Sequence, residues 1–172
     1  KPSNIMLSKG SDGRRHVHIV DFGIAKVLPK GESPVQHLTQ TGEIFGSPLY
    51  MSPEQCKGRS VDARSDIYSL GCVMFEALTG APPLVGDSAL STMMKHQSET
   101  PLSLKEASLG IEFPKRIEQV VERLLAKDIQ SRYQSAQLLT ADLVGLDTAQ
   151  ILTSALTPLP APVEKSRGMT LS

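Results

Sequence analysis

Between Ser65 and Leu78 the chain carries Ile67, Leu70, Gly71, Met74, Ala77 and Leu78 at helical spacing, and Val73 and Phe75 widen the apolar surface. A helix that is apolar nearly all round belongs inside a core, wrapped by other elements. Gly80 ends it, because glycine readily takes the left-handed conformation of a helix stop, and Pro82-Pro83 forbids continuation. The wrapping elements follow in order. Asp87 heads a shorter helix with Leu90, Met93 and Met94 on one side. Ile117, Val120, Val121, Leu124 and Leu125 mark another after Pro114. Ser135 caps a last one whose Ala136, Leu139, Leu143 and Leu146 face inward. With 172 residues and 40% hydrophobic content, the chain can bury one domain core.

The N-terminal stretch has a different period. Asn4 to Leu7 is a short apolar run, Ser8 to Arg14 is a tip rich in turn residues, and Val17 and Ile19 alternate with His16 and His18 into Val20-Asp21. This predicts a β-hairpin with Asn4 and Asp21 at its open end. Lys26 to Gln40 has no periodicity and reads as a long loop, of the kind that is usually functional. Beyond Asp147, Pro158, Pro160 and Pro162 mark a linker or disordered tail. The expected organisation is one mainly α domain with a short β-hairpin over residues 1–146, then a tail over 147–172.

Composition removes several classes of function. Eighteen basic and eighteen acidic residues cancel, which argues against a nucleic-acid or membrane-surface partner. No apolar run approaches a membrane span, and no signal peptide opens the chain. Cys56 and Cys72 lack metal-ligand spacing, and Cys72 sits in the apolar helical pattern, so buried thiols and a reducing cytoplasm fit best. His16, His18, His37 and His96 form no ligand cluster and read as solvated.

What remains is a carboxylate and a carboxamide facing one point. Mg²⁺ on nucleotide phosphates takes oxygen ligands of that kind, a few from protein and the rest from phosphate and water. Lys1, three residues before Asn4, can add positive charge beside a transferring phosphate. Taken singly, each residue also has a plain reading: Asp21 as a turn cap, Asn4 bonded to its own loop, Lys1 as a solvated lysine. Several motifs in order point elsewhere: Lys1-Pro2-Ser3-Asn4, then Asp21-Phe22-Gly23, Thr39-Gln40-Thr41, Gly46-Ser47-Pro48, Ser52-Pro53-Glu54, and Val61-Asp62-Ala63-Arg64-Ser65-Asp66. In that order and spacing, over roughly residues 1–146, the chain resembles the bacterial, eukaryotic-like serine/threonine protein kinases. The resemblance implies a protein-kinase-like fold: the large, mainly helical lobe only, the complete domain being α+β.

It also implies roles. Asp21 and Asn4 would hold Mg²⁺, Lys1 would stabilise the transferred phosphate, and Met6 would floor the adenine of ATP. Phe22 would pack under the site. Thr39 and Thr41 would be autophosphorylation sites, since an added phosphate orders a loop through arginine contacts. Ser47 would bond the catalytic aspartate and Lys1, within a platform for the substrate residue. Glu54 and Arg132 would form a buried ion pair, and Asp66 would hold backbone N–H groups of the catalytic loop. The family's catalytic aspartate would fall two residues before Lys1, so this reads as the C-terminal part of a kinase domain.

The implied activity is transfer of the γ-phosphate of ATP to Ser or Thr hydroxyls of proteins, with ATP and Mg²⁺ as cofactors. The expected partners are protein substrates, with a homodimer possible in the parent and no nucleic acid. The expected site is the cytoplasm, with a membrane anchor possible in the parent through a segment not present here. The competing expectation is a truncated or pseudokinase fragment that docks partners through the helix at Asp87 to Gln97 without chemistry. A small-molecule kinase of similar fold is disfavoured by the stretch from Gly46 to Glu54.

Overall fold

Two strands and six helices make up the described parts of the chain, residues 1–20 and 47–144 of a computed structural model: β1 (Ile5–Lys9), β2 (Arg15–Ile19), α1 (Pro53–Cys56), α2 (Ala63–Thr79), α3 (Ala89–Ser98), α4 (Leu104–Ala107), α5 (Lys115–Leu124) and α6 (Ala136–Val144). Single 3-10 turns stand at Pro2–Asn4, Pro48–Tyr50 and Ile129–Ser131.

The apolar helix expected from the sequence is α2. Asp62 starts it by accepting from the Arg64 N–H at 2.8 Å, and Gly80, at φ 84°, ends it by donating to Glu76 O at 2.8 Å. Its buried positions are Ser65, Ile67, Tyr68, Gly71, Cys72 and Phe75. Leu70, expected on the apolar face, is instead 44% exposed. The reason is angular: Ile67, Gly71 and Tyr68, Cys72, Phe75 already occupy the two sides that other helices cover, and Leu70 falls outside both.

One side of α2 packs Tyr68, Cys72 and Phe75 against Leu104, Phe113, Ile117, Val121 and Leu125. The other packs Ile67 against Val120, Leu124, Tyr133 and Leu139. Helix α5 therefore serves both clusters through successive residues of one stripe. It approaches closely at Gly71, where a Cβ would lie 2.7 Å from Leu124 Cβ, so only glycine admits this spacing.

Helix α3 begins one residue later than expected. Ser88, not Asp87, is its cap: Ser88 Oγ accepts from the Ser91 N–H at 3.1 Å, and Ser91 Oγ accepts from the Ser88 N–H at 3.0 Å. Only Met93 of its three expected core residues is buried; Leu90 and Met94 are 64% and 60% exposed. In α6, Ser135 Oγ accepts from the Leu138 N–H at 3.3 Å and Leu139 is buried, but Ala136 is exposed; Leu146 lies outside the described residues.

The hairpin is antiparallel with Ile5 opposite Ile19, Leu7 opposite Val17 and Lys9 opposite Arg15. Gly10 N–H donates to Arg14 O at 2.8 Å to close the tip, and Val20 N–H donates to Asn4 O at 2.9 Å at the open end. The fold is thus mostly helical with one two-stranded sheet.

Candidate active site

The pleat decides which hairpin side chains share a face. With a period of two, Asn4, Met6 and Ser8 stand on one side of β1 and Ile5, Leu7 and Lys9 on the other. Asn4 is half-buried where the 3-10 turn meets β1; its N–H donates to Lys1 O at 3.0 Å, and Ser3 Oγ lies 3.5 Å from its Oδ1. Its carboxamide oxygen is a donor suited to a hard cation. Met6 is 58% exposed, so it is no core methionine; it offers an apolar surface beside Asn4. Lys1 is exposed. Asp21, Phe22, Thr39 and Thr41 lie outside the described residues. Among the described residues, no group of three or more His, Cys, Asp or Glu side chains could hold a metal.

His18 and His16 are exposed as expected, bonded to Ser8 Oγ at 2.8 Å and paired with Asp12 at 3.6 Å. His96 is a correction: it is fully buried, with Nδ1 2.9 Å from Tyr68 Oη. Helical spacing carries the reason, since His96 lies on the same face of α3 as Thr92 and Met93, which are buried. Burial, then the nearby Lys127 charge, pulls its pKa down to about 4, so it stays neutral at ordinary pH.

The stretch from Ser47 onward is fastened to α2 at several points. Ser47, half-buried, precedes the turn and its carbonyl accepts from Tyr50 N–H at 3.0 Å. Tyr50 Oη donates to Glu76 Oε2 at 2.6 Å, and Ser69 Oγ donates to Tyr50 O at 2.7 Å. Burial and then the Glu76 carboxylate push the Tyr50 phenol upward, so it remains a donor. Ser52 opens α1 with a reciprocal cap: Gln55 N–H to Ser52 Oγ at 3.3 Å and Ser52 N–H to Gln55 Oε1 at 2.8 Å. The spacing Ser52-Pro53-Glu54-Gln55, a serine three residues before a glutamine, is the sequence signal of that cap.

Glu54 and Arg132 meet as a two-pronged pair, Nη1 to Oε1 at 2.8 Å and Nη2 to Oε2 at 2.9 Å. Arg132 is fully buried and also donates to Ala126 O, Arg64 O and Lys127 O at 2.8, 3.1 and 3.2 Å. Ser65 Oγ donates to Glu54 Oε1 at 2.5 Å. Burial alone would raise the Glu54 pKa; the bonds from Arg132 and Ser65 outweigh it and hold the carboxyl near 2. Asp66 is exposed in the first turn of α2, and its carboxylate bonds to no side chain or backbone group among the described residues.

The chain matches the protein kinase domain model over residues 1–144. It is 43% identical over 150 residues to the serine/threonine-protein kinase PknB of Mycobacterium leprae, covering 87% of this chain and 22% of that one. It is 42% identical over 163 residues to PknB of Mycolicibacterium smegmatis, covering 90% and 24% respectively. A probable serine/threonine-protein kinase PknB of Bifidobacterium longum is 40% identical over 144 residues, covering 84% and 20%. The chain therefore spans between about a fifth and a quarter of the length of these relatives. Motif order, a helical core around α2 and these matches agree: the chain belongs to the family of bacterial serine/threonine protein kinases.

Proposed function

We propose that this chain supplies the metal-binding and substrate-facing parts of an ATP-dependent kinase acting on Ser and Thr hydroxyls of proteins. The observation that carries the reading is the anchored stretch from Ser47 to Glu54, tied to α2 through Tyr50–Glu76 and to the 126–132 loop through Glu54–Arg132. Phosphoryl transfer depends mostly on positioning and charge neutralisation, and a platform so held can position a peptide hydroxyl. Asn4 and Asp21 would hold Mg²⁺, which would supply positive charge against the phosphate of ATP. Lys1 would add positive charge beside the transferred phosphate, Met6 would lie under the adenine, and Ser47 would orient the acceptor side. Thr39 and Thr41 would accept phosphate in autophosphorylation. The kinase unit would end near α6, with 147–172 as linker.

The test is kinase assay of the protein containing this chain, with Asp21→Asn and Asn4→Ala variants. Both are expected to lower kcat by about 100-fold or more, the scale of removing charge stabilisation at a reacting phosphate. Unchanged kcat in both would sink the assignment. A second reading, a non-catalytic docking module, is favoured by Leu90 and Met94, which stand 64% and 60% exposed on α3. Under that reading, Leu90→Asp would abolish partner capture while the Asp21 variant captures normally.

A further inference from the structure

Lys127 is a half-buried ammonium whose surroundings do not neutralise it. Its Nζ donates to Tyr68 Oη at 3.1 Å and lies 5.5 Å from the centroid of that ring. The Arg132 guanidinium sits 4.8 Å from the same centroid. Two cations thus share one tyrosine, but Glu54 answers only Arg132. Among the described residues no carboxylate forms an ion pair with Lys127; Glu99, the acid on the α3 side, pairs with Lys95 at 3.5 Å. The other titratable groups around it are the buried thiols of Cys72 on α2 and Cys56 on α1, the neutral His96 ring on α3, and the more distant Glu99 carboxylate, which favours the charged form without pairing with it.

Lys127 also stands where two cavities meet. One, of about 520 Å³, lies between α2, α5 and the 100–104 segment, with Phe75, Leu104, Val121 and Leu125 as apolar wall and Glu118 and Glu122 also lining it. The other, of about 470 Å³, opens between α1 and the 127–129 segment, beside Lys57 and Arg59. Volumes of this size admit small organic molecules. A lysine held by a neutral hydroxyl and facing a second cation loses part of the stabilisation of its charged form.

We propose that Lys127 is an acylation site, taking short apolar acyl groups from activated acyl thioesters. The ammonium first gives one proton to solvent, which frees the Nζ lone pair to attack the thioester carbonyl. The new C–N amide bond forms as the C–S bond breaks, the thiolate leaves with that electron pair, and the second proton lost from nitrogen goes to the thiolate or to solvent. Acylation removes the uncompensated charge and places the acyl chain against the apolar wall.

Burial, reinforced by Arg132 and opposed in part by the thiols and by Glu99, brings the Lys127 pKa down to about 8 from 10.5. At pH 7 that difference gives about 300-fold more free amine than an ordinary lysine. Lower basicity takes back roughly a factor of ten in intrinsic nucleophilicity, by analogy with thiols. The expected advantage is therefore about 20- to 30-fold.

The test treats the native chain at pH 7 with limiting butyryl thioester of N-acetylcysteamine, then quantifies each lysine adduct by peptide mass spectrometry. The Lys127 adduct should form about 20-fold faster than those at Lys9, Lys57 and Lys115. Its rate should rise with a midpoint near pH 8, and the advantage should vanish in denaturant. Lys127→Arg should remove the fast adduct alone. Labelling of Lys127 no faster than the surface lysines in the native chain, or equally fast in native and denatured chain, overturns the proposal.

Discussion

Replacing Arg132 by methionine keeps most of the volume of a fully buried side chain while leaving the Glu54 carboxylate with Ser65 as its remaining side-chain donor. It also strips one donor each from Ala126 O, Arg64 O and Lys127 O. The Glu54 carboxyl stands near 2 in the fold against an ordinary 4.5, and that difference corresponds to about 3 kcal/mol favouring the charged, folded form. Breaking one side of a buried pair costs about 3–5 kcal/mol, so the two routes agree in scale. Arg132→Met is therefore expected to destabilise by about 3–5 kcal/mol, Glu54→Gln by a comparable amount, and the double variant by clearly less than the sum.

Urea unfolding followed by circular dichroism measures each corner of the cycle; tyrosine emission gives a second probe in a chain without tryptophan. Acid titration adds a sign. The folded value of Glu54 lies below its unfolded value, so the unfolded chain takes up the proton first as pH falls. The stabilisation is full above about pH 4.5 and is lost as pH falls toward 2, and Glu54→Gln should lack that component. An Arg132→Met cost under about 1 kcal/mol, or strictly additive variants, would refute the reasoning.

Two further outcomes follow from the packing. Gly71→Ala gains about 1 kcal/mol of helix propensity but forces a Cβ to within 2.7 Å of Leu124 Cβ and 3.1 Å of Leu125 Cδ2; the net is a loss of about 1–3 kcal/mol, read as a lower Tm. His96, with its folded pKa near 4 against 6.5, makes the unfolded chain the stronger proton binder; stability should be full above about pH 6.5 and fall by about 3 kcal/mol as pH drops through 4. An NMR titration of its ring with a midpoint near 6.5 would contradict this.

The hairpin was legible because alternation over Arg15–Ile19 and the turn residues of the tip act locally, and both strands lie within a residue or two of where alternation put them. Helix α5 was legible because its stripe repeats at the helical period through every buried position, and α2 because its apolar surface is wide enough to mark a helix even though buried Tyr68 and exposed Leu70 depart from the expected face. The Glu54–Arg132 contact joins residues 78 apart in sequence; only the family resemblance, not any local pattern, pointed to it. The outward turn of Leu90 and Met94 was missed because periodicity shows that a face is apolar but not that a neighbour covers it. His96 shares the face of Met93, so its spacing agreed with burial, but neither that spacing nor anything local to Lys127 tells that both side chains meet Tyr68.

The amino-acid sequence by itself determined the hairpin, the four longer helices, the mainly helical class and, through motif order, the family, because periodicity, turn chemistry and motifs act within short stretches of chain. The tertiary structure alone decided which apolar residues are covered, that Gly71 admits a close helix crossing, that His96 is held neutral, and that Lys127 pairs with no carboxylate among the described residues. Those properties depend on burial and on charges brought together across the fold, and distance in space is not written in distance along the chain.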